Sequence, residues 1–233
     1  MRVTPPLSKG FFGRSVDEFK RLSISALTAE GTRRATSPLH LANFHSPESL
    51  KRCKVFSDAD TGGFSKVHFD WRSGYAAWRT LDQPSTIFGK SLWNIDAYGL
   101  LALRIKSDGR KYFVNIQTES IVPTDIHQHR LYARSPGEWE TVLIKWNEFV
   151  RTNHGVVVEP QGEMLRQKVR TVGIGLIDRV PGDFQLCVER IWATNGLSEA
   201  DLEEDGRKEE GQLKSKHGEK IRWGEDKFDK TTS

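Results

Sequence analysis

Cysteine is almost absent: Cys53 and Cys187 are the two in 233 residues. Two thiols exclude a disulfide-stapled scaffold and a cysteine-ligated zinc module. Long apolar runs are missing as well. None approaches the ~18 consecutive apolar residues of a membrane-spanning helix, and no apolar stretch follows Arg2 as a secretory signal requires. Charge of one sign does not dominate, because 35 Lys and Arg stand against 31 Asp and Glu, a formal net charge of +4. The body has no dense basic stripe interleaved with aromatics, so no nucleic-acid partner is expected. G-x-S-x-G, His-Glu-x-x-His and phosphate-loop motifs are absent too, which removes the commonest hydrolase and nucleotide-binding readings.

What is present is aromatic. Seven Trp and twelve Phe are enough to build a core, so the chain is not disordered as a whole. Its charge is uneven: +5 over 1–52, +2 over 53–197 and −3 over 198–233. These shifts divide it into a basic N-terminal extension (1–52), a body (53–197) and a charged C-terminal tail (198–233). In the extension a helical pattern starts near Ser15. Ser15 and Glu18 have capping-box spacing, and Val16, Phe19, Leu22 and Ala26 recur at helical intervals. Two readings stay open there: a short helix docked on the body, or an amphipathic targeting or membrane-surface segment. Arg2, Arg14, Arg21, Arg33 and Arg34 favour the second, while Asp17, Glu18 and Glu30 oppose a cleaved transit peptide. The tail reads as solvated, with a helix at 198–204 and an anchor at Ile221, Trp223 and Phe228.

The body carries short β-rich runs between turn residues, the pattern of an all-β sandwich. Strands are expected at 53–58, 64–71, 75–82, 99–107, 111–119, 126–134, 139–145, 170–178 and 184–194. Asp108-Gly109 predicts a two-residue hairpin pairing Leu101, Leu103 and Ile105 with Tyr112, Val114 and Ile116. Pro136-Gly137 and Pro181-Gly182 mark further turns. Arg104, Asn115 and Gln117 then share a polar, non-core face suited to a partner, and Arg104→Ala is expected to weaken capture with little change in melting temperature. Trp71 and Trp78 are aromatic platform candidates that alternation does not separate from core, whereas Trp93 is expected in the core. The stretch 146–168 breaks the strand rhythm and is long for a loop, so it is functional or holds further structure, with one helical turn at 163–167.

Candidate chemistry thins out on inspection. Asp58-Ala59-Asp60-Thr61-Gly62-Gly63 opens like a calcium loop but has Phe69 where a bidentate Glu belongs, which leaves a turn. His127 and His129 alternate onto one strand face at a usable metal spacing, yet only Asp125 is near; an exposed edge strand is the simpler reading. Glu138 and Glu140 flank Trp139 as a solvated face rather than an acid/base pair. Gly173-Ile174-Gly175 lacks a dinucleotide fingerprint and is expected to permit close sheet packing. Cys53 and Cys187 lie on the first and last body strands, where a bridge is geometrically open but two free, mostly buried thiols are expected. No catalysis, metal or cofactor is expected.

The body also carries a resemblance. Val55-Phe56-Ser57-Asp58, Gly62-Gly63-Phe64-Ser65, Trp93-Asn94-Ile95-Asp96, Leu101 to Tyr112, Pro136-Gly137-Glu138-Trp139, Lys145 to Phe149 and Val172 to Gly175 follow one another as in the complex I intermediate-associated protein 30 family. The similarity covers roughly residues 53–195. It implies a galactose-binding-like β-sandwich related to the jelly rolls of carbohydrate-binding modules. It also implies a non-catalytic assembly factor that holds membrane-arm intermediates of NADH:ubiquinone oxidoreductase, together with other assembly factors, at the matrix face of the mitochondrial inner membrane. Peripheral contact with that membrane would accompany the role. The alternative is a carbohydrate- or small-ligand-binding module that has kept an ancestral groove.

Overall fold

A computed structural model describes residues 10–28, 35–57, 76–178, 180, 182–198 and 201. By internal contacts the chain forms two compact units, 1–196 and 197–233. In the first, α1 (Phe11–Thr28) precedes β1 (Leu39–Asn43), the short α2 (Pro47–Leu50), β2 (Cys53–Ser57), β3 (Ala76–Thr80) and β4 (Leu100–Ser107). Then come β5 (Tyr112–Thr118), β6 (Asp125–Leu131), β7 (Trp139–Lys145), β8 (Val150–Asn153), β9 (Val156–Val157), β10 (Val169–Leu176) and β11 (Leu186–Thr194).

These strands build two antiparallel sheets. One has the order β1-β11-β4-β7 and the other β2-β3-β10-β5-β6-β8-β9. Alternation puts every second side chain of each sheet into one shared core. Leu101, Leu103, Ile105, Ile144 and Ile191 enter it from the four-stranded sheet. Tyr112, Val114, Ile116, Val172, Ile174 and Leu176 enter from the seven-stranded one. Trp93 packs against this core, as expected, and pairs its backbone with Val169.

The Asp-Gly turn behaves differently from the hairpin expected of it. β4 pairs with β11 and β7, whereas β5 pairs with β10 and β6. The turn therefore carries the chain from one sheet to the other, and Leu101, Leu103 and Ile105 meet Tyr112, Val114 and Ile116 across the core rather than along a ladder. Alternation alone is the same in both arrangements. Polar groups hold the crossing. Arg110 donates from Nε and Nη2 to Asp178 at 2.8 and 2.7 Å, and from Nη1 to the carbonyls of Gly182 and Asp183 at 2.9 Å. Asp108 accepts from the Gln185 backbone at 2.6 Å and from the Tyr112 hydroxyl at 3.1 Å. The Arg110 guanidinium holds the Asp178 carboxyl below its usual range, and burial, reinforced by Asp108, pushes the Tyr112 phenol up.

Four further differences have local causes. β1 lies inside the N-terminal extension, where Leu39-His40-Leu41-Ala42-Asn43 pairs with β11. α1 starts at Phe11, so Ser15 sits within the helix and forms no capping box. Its Oγ donates to the Phe11 carbonyl at 2.8 Å and accepts the Ile87 backbone N–H at 3.1 Å, docking the helix on the body. The 146–168 stretch holds two 3₁₀ turns (Trp146–Glu148 and Arg166–Lys168) and strands β8 and β9. Glu140 is buried and accepts the backbone N–H groups of Arg134 and Ser135, closing the Pro136-Gly137 turn instead of facing solvent.

In the second unit, Ser198 and Asp201 exchange hydrogen bonds of 2.7–3.2 Å in the reciprocal pattern of a capping box, and the rest of the expected helix 198–204 lies outside the described residues. The predicted strand 64–71, the calcium-like turn 58–63 and the anchor at Ile221, Trp223 and Phe228 lie outside the described residues.

Candidate partner-binding face

Register turns the outward positions of the seven-stranded sheet into rows. One runs Lys54, Arg79, Gly173, Asn115, Gln128, Val150 across six strands. The next runs Phe56, Ala77, Gly175, Phe113, Arg130. Between Phe56 and Phe113, three strand spacings or about 14 Å apart, the floor carries only the Ala77 methyl and no side chain at Gly175. Gly173 has a definite reason to be glycine: a Cβ there would fall 2.2 Å from the Trp78 carbonyl oxygen and 2.8 Å from the Arg79 Cβ. The expectation of close packing holds at this residue.

Amides and hydroxyls tie the middle of the face together. Thr152 Oγ1 donates to Gln128 Oε1 at 2.8 Å, and Gln128 Nε2 donates to Asn115 Oδ1 at 2.8 Å. Gln117 Nε2 donates to the Pro123 carbonyl at 2.8 Å and its Oε1 accepts from Thr171 at 3.4 Å. These partners fix Asn115 and Gln117 while leaving both half-exposed. At the edge of the floor Lys54 and Arg79 stand over the Phe56 ring at 4.9 and 5.6 Å, and Arg130 over Tyr132 at 4.8 Å. Buried Arg130 Nε has no acceptor among the described residues. Arg79 and Arg170 share Asp82, whose carboxyl is held low chiefly by its hydrogen bond from Arg170. No outward strand position of this sheet carries Asp or Glu among the described residues. Chemically the face offers guanidinium and amide donors beside flat aromatic rings, which suits an acidic or carbonyl-rich segment.

The predicted site residues divide. Asn115 and Gln117 lie together here. Arg104 does not join them, because β4 belongs to the other sheet. It is 7% exposed on that sheet's outer side, with Nη1 3.5 Å from Thr141 Oγ1 and Nε 3.8 Å from Glu189 Oε2. Its burial argues against the expectation that Arg104→Ala would spare stability. Trp78 points inward, meets Phe44 edge-on at 5.3 Å and lines an apolar cavity of about 500 Å³ with Leu50, Cys53, Val55 and Phe184. Trp71 lies outside the described residues. Lys54, Phe56, Arg79, Phe113, Gln128 and Arg130 escaped the sequence reading; they share the parity of Asn115 and Gln117, but only inter-strand register places them beside those two.

The paired histidines are also placed otherwise than expected. β6 lies between β5 and β8, so it is not an edge, and His127 is buried. Burial lowers the His127 pKa, and the Arg151 charge adds to that against the opposing pull of Asp125. His129 packs on Phe149 with ring centroids 5.5 Å apart. Among the described residues no group of three or more His, Cys, Asp or Glu side chains could hold a metal. Cys53 and Cys187 are free and half-buried, on strands of different sheets.

Comparison with known proteins places this body. The family model described as complex I intermediate-associated protein 30 matches residues 42–188. The chain belongs to that family. The mitochondrial protein of that name from Neurospora crassa is 46% identical over 96% of this chain and 98% of its own length. The Mus musculus protein is 29% identical over 64% of this chain and 53% of its own. A family 11 carbohydrate-binding module of a Clostridium thermocellum cellulase superposes with a TM-score of 0.50 at 14% identity, covering 71% of this chain and 98% of the module. That likeness bears on fold alone: the body of this chain is a β-sandwich like that of the module.

Proposed function

We propose that this protein is a non-catalytic assembly factor for mitochondrial respiratory complex I. In this reading it holds membrane-arm intermediates, together with other assembly factors, at the matrix face of the inner membrane. Family membership across the body carries the reading, since the relatives are named as mitochondrial complex I intermediate-associated proteins. The contact surface is the outer face of the seven-stranded sheet, with Asn115, Gln117 and Arg130 as anchors. Its half-exposed amides, its aromatics and its excess of cations support that assignment.

Affinity capture of the tagged protein from gently solubilised mitochondria, with native sizing and mass spectrometry, tests it. Partial membrane-arm assemblies distinct from the mature enzyme are the expected recovery. A correctly localised protein that recovers no complex I subunit contradicts the assembly role. Glycan binding to the same face without any subunit capture would favour the carbohydrate-module alternative, whose chemistry of flat rings beside amides is also present there.

A further inference from the structure

Apart from the sheet face, one surface of the first unit is conspicuously apolar. α1 buries the Ser15 hydroxyl against the 86–89 turn, and Phe19 stacks on Phe88 with ring centroids 6.2 Å apart. That contact uses only part of the helix's apolar stripe. At 100° per residue Phe12 and Val16 fall on its far margin, and they remain 80% and 53% exposed. Phe11, Phe19, Ile87 and Phe88 are each at least 44% exposed beside them. Six large apolar side chains of the helix and the 86–89 turn thus stand exposed around the Ser15–Ile87 and Phe19–Phe88 contacts. A soluble surface rarely leaves such a patch without an occupant.

We infer that this patch is a bilayer-contact surface, by which the protein rests on an anionic membrane with Phe12, Val16, Ile87 and Phe88 dipped below the headgroups. Charge favours a lipid surface over a protein groove. The segment 1–52 has a net charge of +5, and exposed Lys20 flanks the aromatics on the helix, while Lys90 beside the turn is paired with Glu119 at 2.9 Å. Phe12 stands almost free of its own fold, the disposition of a side chain that enters a fluid layer. Interfacial helices bind by this pairing of apolar insertion and basic flanks. The inference gives a surface to the membrane location proposed above, but its chemistry does not require complex I.

Flotation of the purified full chain with vesicles of equal parts phosphatidylcholine and phosphatidylglycerol tests it directly. The wild-type chain should float with these vesicles and less with phosphatidylcholine alone. Phe12→Ser with Val16→Ser should weaken binding about tenfold without changing the melting curve, because both side chains are exposed. Phe88→Ser, outside the helix, should weaken it by a smaller factor. No flotation of the wild type, or equal flotation of all three proteins, overturns the inference. So does a double variant that floats normally but loses subunit capture in detergent, which would make the patch a protein interface. Subunit capture by a non-floating wild type would leave the assembly reading intact and sink only this one.

Discussion

The two outer faces of the sandwich differ sharply. On the four-stranded sheet Ala102, Thr141 and Trp192 are at most 1% exposed, Arg104 is 7% exposed, and Arg190 lies over the Trp192 ring at 4.5 Å. Those positions are as closed as the core. On the seven-stranded sheet the equivalent outward residues Phe113, Asn115, Gln117, Gln128 and Arg130 stay half-exposed, over a floor stripped to Ala77, Gly173 and Gly175. Both faces mix Arg, Thr and aromatic residues. Exposure, not composition, distinguishes the proposed partner face from the closed one.

Four perturbations test that contrast, in descending size. Gly173→Ala should be the most damaging, since its Cβ would drive β3 from β10; overpacking of this kind costs about 3 kcal/mol, read by chemical denaturation. Unchanged stability would mean the two strands separate easily and the floor is not rigid. Arg104→Ala should cost about 2 kcal/mol, as truncations of buried polar side chains do, while subunit capture by the folded fraction stays normal. The reverse pattern would put the partner on the closed face. Asn115→Ala with Arg130→Ala should cost less than about 1 kcal/mol yet reduce capture at least about tenfold. If capture survives, the open face is not the contact.

The smallest effect is acidic. Burial keeps the folded-state pKa of His127 below the unfolded value of about 6.5. The unfolded chain therefore takes up this proton first. The stability that neutral His127 contributes is complete above pH ~6.5 and falls away as pH drops through the folded-state pKa. Hydrogen exchange at β6 and β8, corrected for intrinsic rates, should rise on going from about pH 7.5 to 5.5 more than exchange at β4 and β11. His127→Gln should flatten the difference.

Much of the fold was legible in residue order, because alternation and turn chemistry act locally. Strands such as 53–57, 139–145 and 186–194 fall where the pattern puts them. Sheet membership was not legible: Leu101 to Ile105 and Tyr112 to Ile116 alternate identically whether they share a ladder or face each other across a core. That ambiguity is why Arg104 was grouped with Asn115 and Gln117. β8 and β9 were hidden for another reason. They are short, and the side chain of Gln161 stands in for a strand neighbour by accepting from the Arg151 N–H at 2.7 Å and donating to its carbonyl at 3.1 Å. Without them β6 looks like an edge and His127 looks exposed.

Lysine cross-linking of the captured assembly reads directly which outer face meets the assembling complex. Lys54 lies on the open face, whereas Lys106 and Lys145 lie on the closed one, all three exposed. Cross-links from Lys54 to complex I subunits, with Lys106 and Lys145 unlinked, are the predicted result. Links confined to Lys106 and Lys145 would contradict it and move the partner to the four-stranded sheet.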